Sequence, residues 1–136
     1  HDTLEDCDDV TPDIITKIFG VQTTFRLKQL TSDESRYKNA ITGADRFRLK
    51  TLYLVEKYGD SNLCSDVRIV KMADRLHNLR DAQGTWRNER VKDYALQGLL
   101  MVYAMESAQP IRSREKKIYN LLVATCEDIL RANPHV

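Results

Sequence analysis

Apolar residues recur at steps of three and four along most of this 136-residue chain, with only three prolines and five glycines to interrupt them. The strict apolar–polar alternation of a half-buried strand is scarce, so the chain is predicted to be all-α. Thr11-Pro12-Asp13 offers an N-cap hydroxyl, a proline at the first helical position and a first-turn carboxylate, opening a helix that should stop at Gly20. Further helices are expected over Val21 to Leu30, Ala44 to Tyr58, Ser65 or Asp66 (as cap) to about Ala82, about Arg90 to Glu106 and about Ser113 to Ala132. The polar stretch Asp33 to Gly43 reads as a loop, while Gly59-Asp60-Ser61-Asn62 and Pro110 read as breaks.

The spacing also proposes the buried faces. Phe47, Thr51, Leu54, Val55 and Tyr58 form one stripe, and Ile69, Met72, Ala73, Leu76 and Leu79 form the next. Tyr94, Leu96, Leu99, Leu100, Val102 and Tyr103 are expected to be core, as are Ile118, Leu121, Leu122, Ala124, Ile129 and Leu130. Trp86, in a polar loop, is expected to cover the core edge. With 42% hydrophobic and 30% charged residues, a single domain over 1–136 can bury such a core.

A net charge of +1 gives little general attraction to nucleic-acid polymers or anionic membranes. No run approaches the roughly 20 apolar residues of a membrane helix, and no export leader opens the chain. Cys7, Cys64 and Cys126 are widely spaced and odd in number, which suits a reducing cytoplasm better than a disulfide framework or structural zinc. The charge is unevenly placed: six acids face one base between His1 and Gly20, and seven bases face three acids between Arg26 and Lys50. Such a division suits a metal beside phosphates, and equally suits solvated helix faces.

Two segments carry potential chemistry. His1-Asp2-Thr3-Leu4-Glu5-Asp6 sets four metal-binding or proton-transfer groups within six residues. An imidazole and a carboxylate on one ion favour manganese, iron or zinc over calcium or magnesium. The second segment is Lys71-Met72-Ala73-Asp74-Arg75-Leu76-His77-Asn78, where Lys71, Asp74, Asn78 and Asp81 fall at steps of three, four and three along one helical stripe. His77 is expected to be structural rather than a ligand.

Together, HDTLED and KMADRLHN resemble the HDxxED and K(L/M)ADRxHN signatures of the RelA/SpoT family's hydrolase domain, an HD-type fold that removes the 3′-pyrophosphate of guanosine tetra- and pentaphosphate. The likeness covers about His1 to Ala82. It implies an HD-domain helical bundle with a divalent transition metal, manganese foremost, held by His1, Asp2 and Asp74. Glu5 and Asp6 match the acidic pair that handles the nucleophilic water, and Lys71, Arg75 and Asn78 match residues at the nucleotide.

The resemblance also implies a further ligand histidine and helices ahead of His1, so an upstream segment is expected. Asp81 departs from the long family members, which carry a small hydroxyl residue there, and this loosens the assignment to guanosine alarmones. The sequence therefore predicts metal-dependent hydrolysis of a ppGpp-like nucleotide. Hydrolysis of another nucleotide by an HD phosphohydrolase, and a non-catalytic nucleotide-binding regulatory module, are the alternatives.

Overall fold

A computed structural model describes residues 21–132. The helix expected at Thr11, together with His1, Asp2, Glu5 and Asp6, lies outside the described residues. Those described are all-α, with five α-helices and one short 3-10 turn and no strand among them. Contacts divide the chain into two compact units, His1–Ser35 and Arg36–Val136.

In the first unit, α1 (Val21–Leu30) has the predicted limits, and both the amide and the hydroxyl of Thr31 donate to Leu27 O at its end, at 2.9 and 2.7 Å. Asp33 then accepts from the Ser35 amide at 3.1 Å, so the stretch read as a loop begins in an ordered turn.

The second unit packs four helices: α2 (Gly43–Tyr58), α3 (Ser65–Ala82), α4 (Asn88–Ala108) and α5 (Lys116–Ala132). The α4 helix contacts the other three, and α3 also lies against α5. Thr42 caps α2 by accepting the Asp45 amide at 3.1 Å, which starts that helix one residue earlier than the apolar spacing suggests. Neither Ser65 nor Asp66 caps α3, because both are used elsewhere. Ser65 lies inside the helix and donates to Glu115, while Asp66 pairs with Arg114 at 2.7 Å; the N-cap position is Cys64.

The core differs from the predicted one chiefly on α4. Leu96, Leu100 and Tyr103 are 39–47% exposed, and the buried side of α4 is Val91, Ala95, Gln97, Gly98, Leu99, Met101, Val102 and Met105. On α5, Leu122, Cys126 and Ile129 are buried, whereas Leu121 is exposed. On α3 the apolar Met72, Leu76 and Leu79 are buried as predicted, but Arg68 and Arg75 are buried with them and Ala73 faces outward. Buried Arg75 needs a polar partner and room inside the fold, which is why polar Gln97 and side-chain-free Gly98 take core positions on α4, while Arg68 is met by Glu115 and the Gln109 carbonyl. No described helix is long and apolar enough to cross a membrane.

Candidate functional site

The polar stripe of α3 comes out of the fold graded rather than uniform. Lys71 has 12% of its side chain exposed, Asp74 has 36%, Asn78 is half-buried and Asp81 is exposed. Asp74 Oδ2 lies 3.9 Å from Lys71 Nζ, an ion pair at the limit of contact. His77 is exposed with its Nε2 3.2 Å from Asp81 Oδ2, so it is a surface residue and contributes nothing to the core.

Lys71 Nζ also sits 5.4 Å from the centre of the Tyr58 ring. Burial lowers its pKa to about 8, and the neighbouring Arg75, Lys50 and Lys57 cations push in the same direction against Asp74. Its folded pKa lies below the ordinary lysine value of 10.5, so between these limits the unfolded chain binds more protons. Stability should therefore rise as pH increases from about 8 towards 10.5, by on the order of 1–3 kcal/mol. Urea denaturation across that range should show the slope, and Lys71→Met should flatten it; an equal slope in the variant would assign it to another group.

Arg75 lies inside the fold at 2% exposure, away from the surface position expected of a substrate contact. Its guanidinium carbon is 3.7 Å from the centre of the Tyr94 ring, and its Nη1 donates to Tyr94 O and Gln97 Oε1, both at 3.3 Å. Asn78 Nδ2 donates to the Tyr94 hydroxyl at 3.2 Å. Tyr94 is thus the residue to which the second motif is anchored.

Tyr94 also lines a pocket of about 260 Å³ between α2 and the start of α4. Its basic residues are Arg46, Lys50 and Arg90, its aromatic ones Phe47, Trp86 and Tyr94, and Asp93 supplies one carboxylate. The Trp86 ring meets Tyr94 edge-on at 5.3 Å, and the Arg90 guanidinium lies 4.0 Å over Trp86. Trp86 is held by a tight turn in which Ala82 O accepts the Thr85 and Trp86 amides at 3.0 and 2.9 Å. That turn contains Gly84 at φ 81°, a left-handed conformation suited to glycine. Phe47, Trp86 and Tyr94 are half-buried, and cations set beside aromatic rings are the elements that hold phosphates and stack a base.

A larger groove of about 450 Å³ lies at the corner between α4 and α5, around Pro110, Ile111 and Tyr119, and contains no motif residue. The Tyr119 hydroxyl there donates to Glu106.

Comparison of the chain with protein-family models, curated proteins and solved structures returns no match. The functional assignment accordingly rests on its own residues. Among the described residues no group of three or more His, Cys, Asp or Glu side chains could hold a metal ion, and Asp74 is the one expected ligand within them. Its carboxylate is accessible and only distantly paired, which suits a ligand.

The expectations of a core-edge Trp86 and a core Tyr94 leave out the pocket that these rings line with Arg46, Lys50 and Arg90. A signal was present: Trp86, Arg90, Tyr94 and Gln97 stand four, four and three apart, and Arg46 and Lys50 stand four apart. Arg90 on that stripe is exposed and Trp86 and Tyr94 are half-buried, while Gln97 enters the core beside Arg75.

Proposed function

We propose that this protein is a metal-dependent phosphohydrolase that removes the 3′-pyrophosphate of guanosine tetra- or pentaphosphate, in an HD-type arrangement. The observation that carries this reading is the Asn78–Tyr94 hydrogen bond, which ties the KMADRLHN motif to a pocket with three cations and three aromatic rings. A small phosphorylated nucleotide matches that chemistry, having anionic groups for Arg46, Lys50 and Arg90 and a base for an aromatic face.

His1, Asp2 and Asp74 would hold a divalent transition metal, most simply manganese. The ion's contribution would be Lewis acidity towards water and a phosphoryl oxygen. Glu5 or Asp6 would orient the attacking water and take its proton, and Lys71 would offset negative charge on the pyrophosphoryl group as water bonds to its phosphorus and the ribose 3′-oxygen departs. Attack at phosphorus by water needs no nucleophilic side chain, so Cys64 and Cys126 have no part in it.

Incubating the protein with manganese and ppGpp should release pyrophosphate and leave GDP. Turnover of ordinary nucleotides without ppGpp would replace this reading with a neighbouring hydrolase. Tight nucleotide binding without turnover in metal-loaded protein would replace it with a regulatory module.

A further inference from the structure

We infer that Arg75 is a positioning residue that sets the pose of the Tyr94 ring, and thereby the shape of the pocket, without touching the ligand. The inference rests on the nucleotide reading of that pocket only for its consequence in binding. Its structural half stands on three observations.

Arg75 cannot present its guanidinium to a molecule in the pocket, because it is 2% exposed while Tyr94 and Gln97 form the lining. It is instead the start of a polar chain through three helices. Nη1 donates to Gln97 Oε1 at 3.3 Å, Gln97 Nε2 donates to Thr51 Oγ1 at 3.1 Å, and Thr51 Oγ1 donates to Phe47 O at 2.6 Å. Phe47 and Gln97 both line the pocket, so the chain runs beneath it and returns to its wall.

The backbone of α4 is adapted to this side chain. A Cβ on Gly98 would lie 3.2 Å from Arg75 Cγ and 3.5 Å from Arg75 Cδ, leaving the arginine stem little room to pass. Glycine in a helix interior is unfavourable by about 1 kcal/mol relative to alanine, and here it admits the arginine.

Stability alone gives no reason for an arginine in this place. Its hydrogen-bond acceptors are a carbonyl and an amide oxygen, and its Nε has no hydrogen-bond partner among the described residues. A buried cation held by neutral groups is commonly worth no more than an apolar side chain of the same volume. What the guanidinium does supply is a rigid plane that stacks on an aromatic face. Stacked at 3.7 Å, it fixes the plane of Tyr94, whose hydroxyl then meets Asn78 and whose ring meets Trp86.

The test uses Trp86, the chain's one tryptophan, as a reporter at the Tyr94 edge. Arg75→Met keeps the stem and removes the plane; Gln97→Met removes the anchor of that plane and serves if the first variant does not fold by far-ultraviolet dichroism. In the ligand-free full chain, either variant should alter the near-ultraviolet dichroism and emission of Trp86. In the manganese-supplemented chain, KM for ppGpp should rise about tenfold with kcat nearly unchanged, as expected when a binding wall is free to move. A folded variant with the parental Trp86 spectra, or with altered spectra and the parental KM, overturns the inference. If the parent does not turn over ppGpp, the proposed function fails, and the ligand-free spectra alone decide the role of Arg75.

Discussion

Asp74→Ala is expected to remove hydrolysis and leave the fold in place. Asp74 has 36% of its side chain exposed, and its carboxylate meets Lys71 only at 3.9 Å. A pair that long and that accessible contributes little, and alanine is the better helix former, so the stability change should stay under about 1 kcal/mol. The activity loss should be far larger. Groups that merely orient metal ligands typically cost about 10–100-fold when removed, so loss of a ligand should cost at least about 100-fold. Pyrophosphate release with manganese, measured beside a thermal melt, separates the two effects. A variant that melts with the parent and hydrolyses as fast would take Asp74 out of the metal shell. A variant that is inactive because it is unfolded would contradict the placement of Asp74 on the accessible stripe.

The helical spacing that puts Asp74 on one stripe with Lys71 and Asn78 is a local signal, and the helix that carries them is legible for that reason. Helix limits at Val21, Leu30, Tyr58 and Ala82 follow from periodicity and turn residues, and these signals lie within a few positions of what they decide. Met72, Leu76 and Leu79 of α3 are legible for the same reason, whereas Ala73, on the same spacing, faces outward. What periodicity could not supply was the depth of the polar positions. Arg68 and Arg75 look like surface residues to any hydrophobicity argument, yet both are buried, because their partners Glu115, Tyr94 and Gln97 are supplied by other parts of the chain. Burying Arg75 in turn reserves Gln97 and Gly98 for the interior of α4 and leaves Leu96, Leu100 and Tyr103 facing out. One non-local polar contact thus rotates the apparent apolar face of a whole helix. The pocket was hidden likewise: Arg46 and Lys50 lie some forty residues before Arg90 and Tyr94 in sequence and share a cavity only through the packing of α2 on α4.

Glu115→Ala is expected to cause the largest loss of stability of any single change to a polar group described above. Glu115 is fully buried, and its Oε2 lies 3.1 Å from Arg68 Nε, itself 1% exposed. The same carboxylate accepts the Ser65 hydroxyl at 3.0 Å and the Arg112 amide at 2.9 Å, while both terminal nitrogens of Arg68 donate to Gln109 O at 3.2 Å. Removing the carboxylate leaves Arg68 as a buried cation facing one carbonyl, and deprives Ser65 and the Arg112 amide of their acceptor. Breaking a buried pair in this way costs about 3–5 kcal/mol, which for a domain of this size should lower Tm by more than about 10 °C. By contrast Arg36 and Glu56, 2.8 Å apart on the surface with 43% and 60% exposure, should contribute under about 1 kcal/mol. Most of the Glu115 loss is the stranded charge, so the double variant Arg68→Met, Glu115→Leu should recover much of it, whereas Glu115→Gln, which keeps the shape and loses the charge, should not. Chemical denaturation of the four proteins decides this; an isolated Glu115→Ala loss below about 1 kcal/mol would show that the corner between α4 and α5 is held by apolar packing alone. The Glu115 cluster also sits at the Ser65 end of α3, about 20 Å along the axis from Asn78. Below its lowered Tm, the Glu115→Ala protein should therefore keep the parental KM for nucleotide, because its defect lies in holding the helices together and leaves the Asn78–Tyr94 hydrogen bond, and the pocket that Tyr94 lines, untouched.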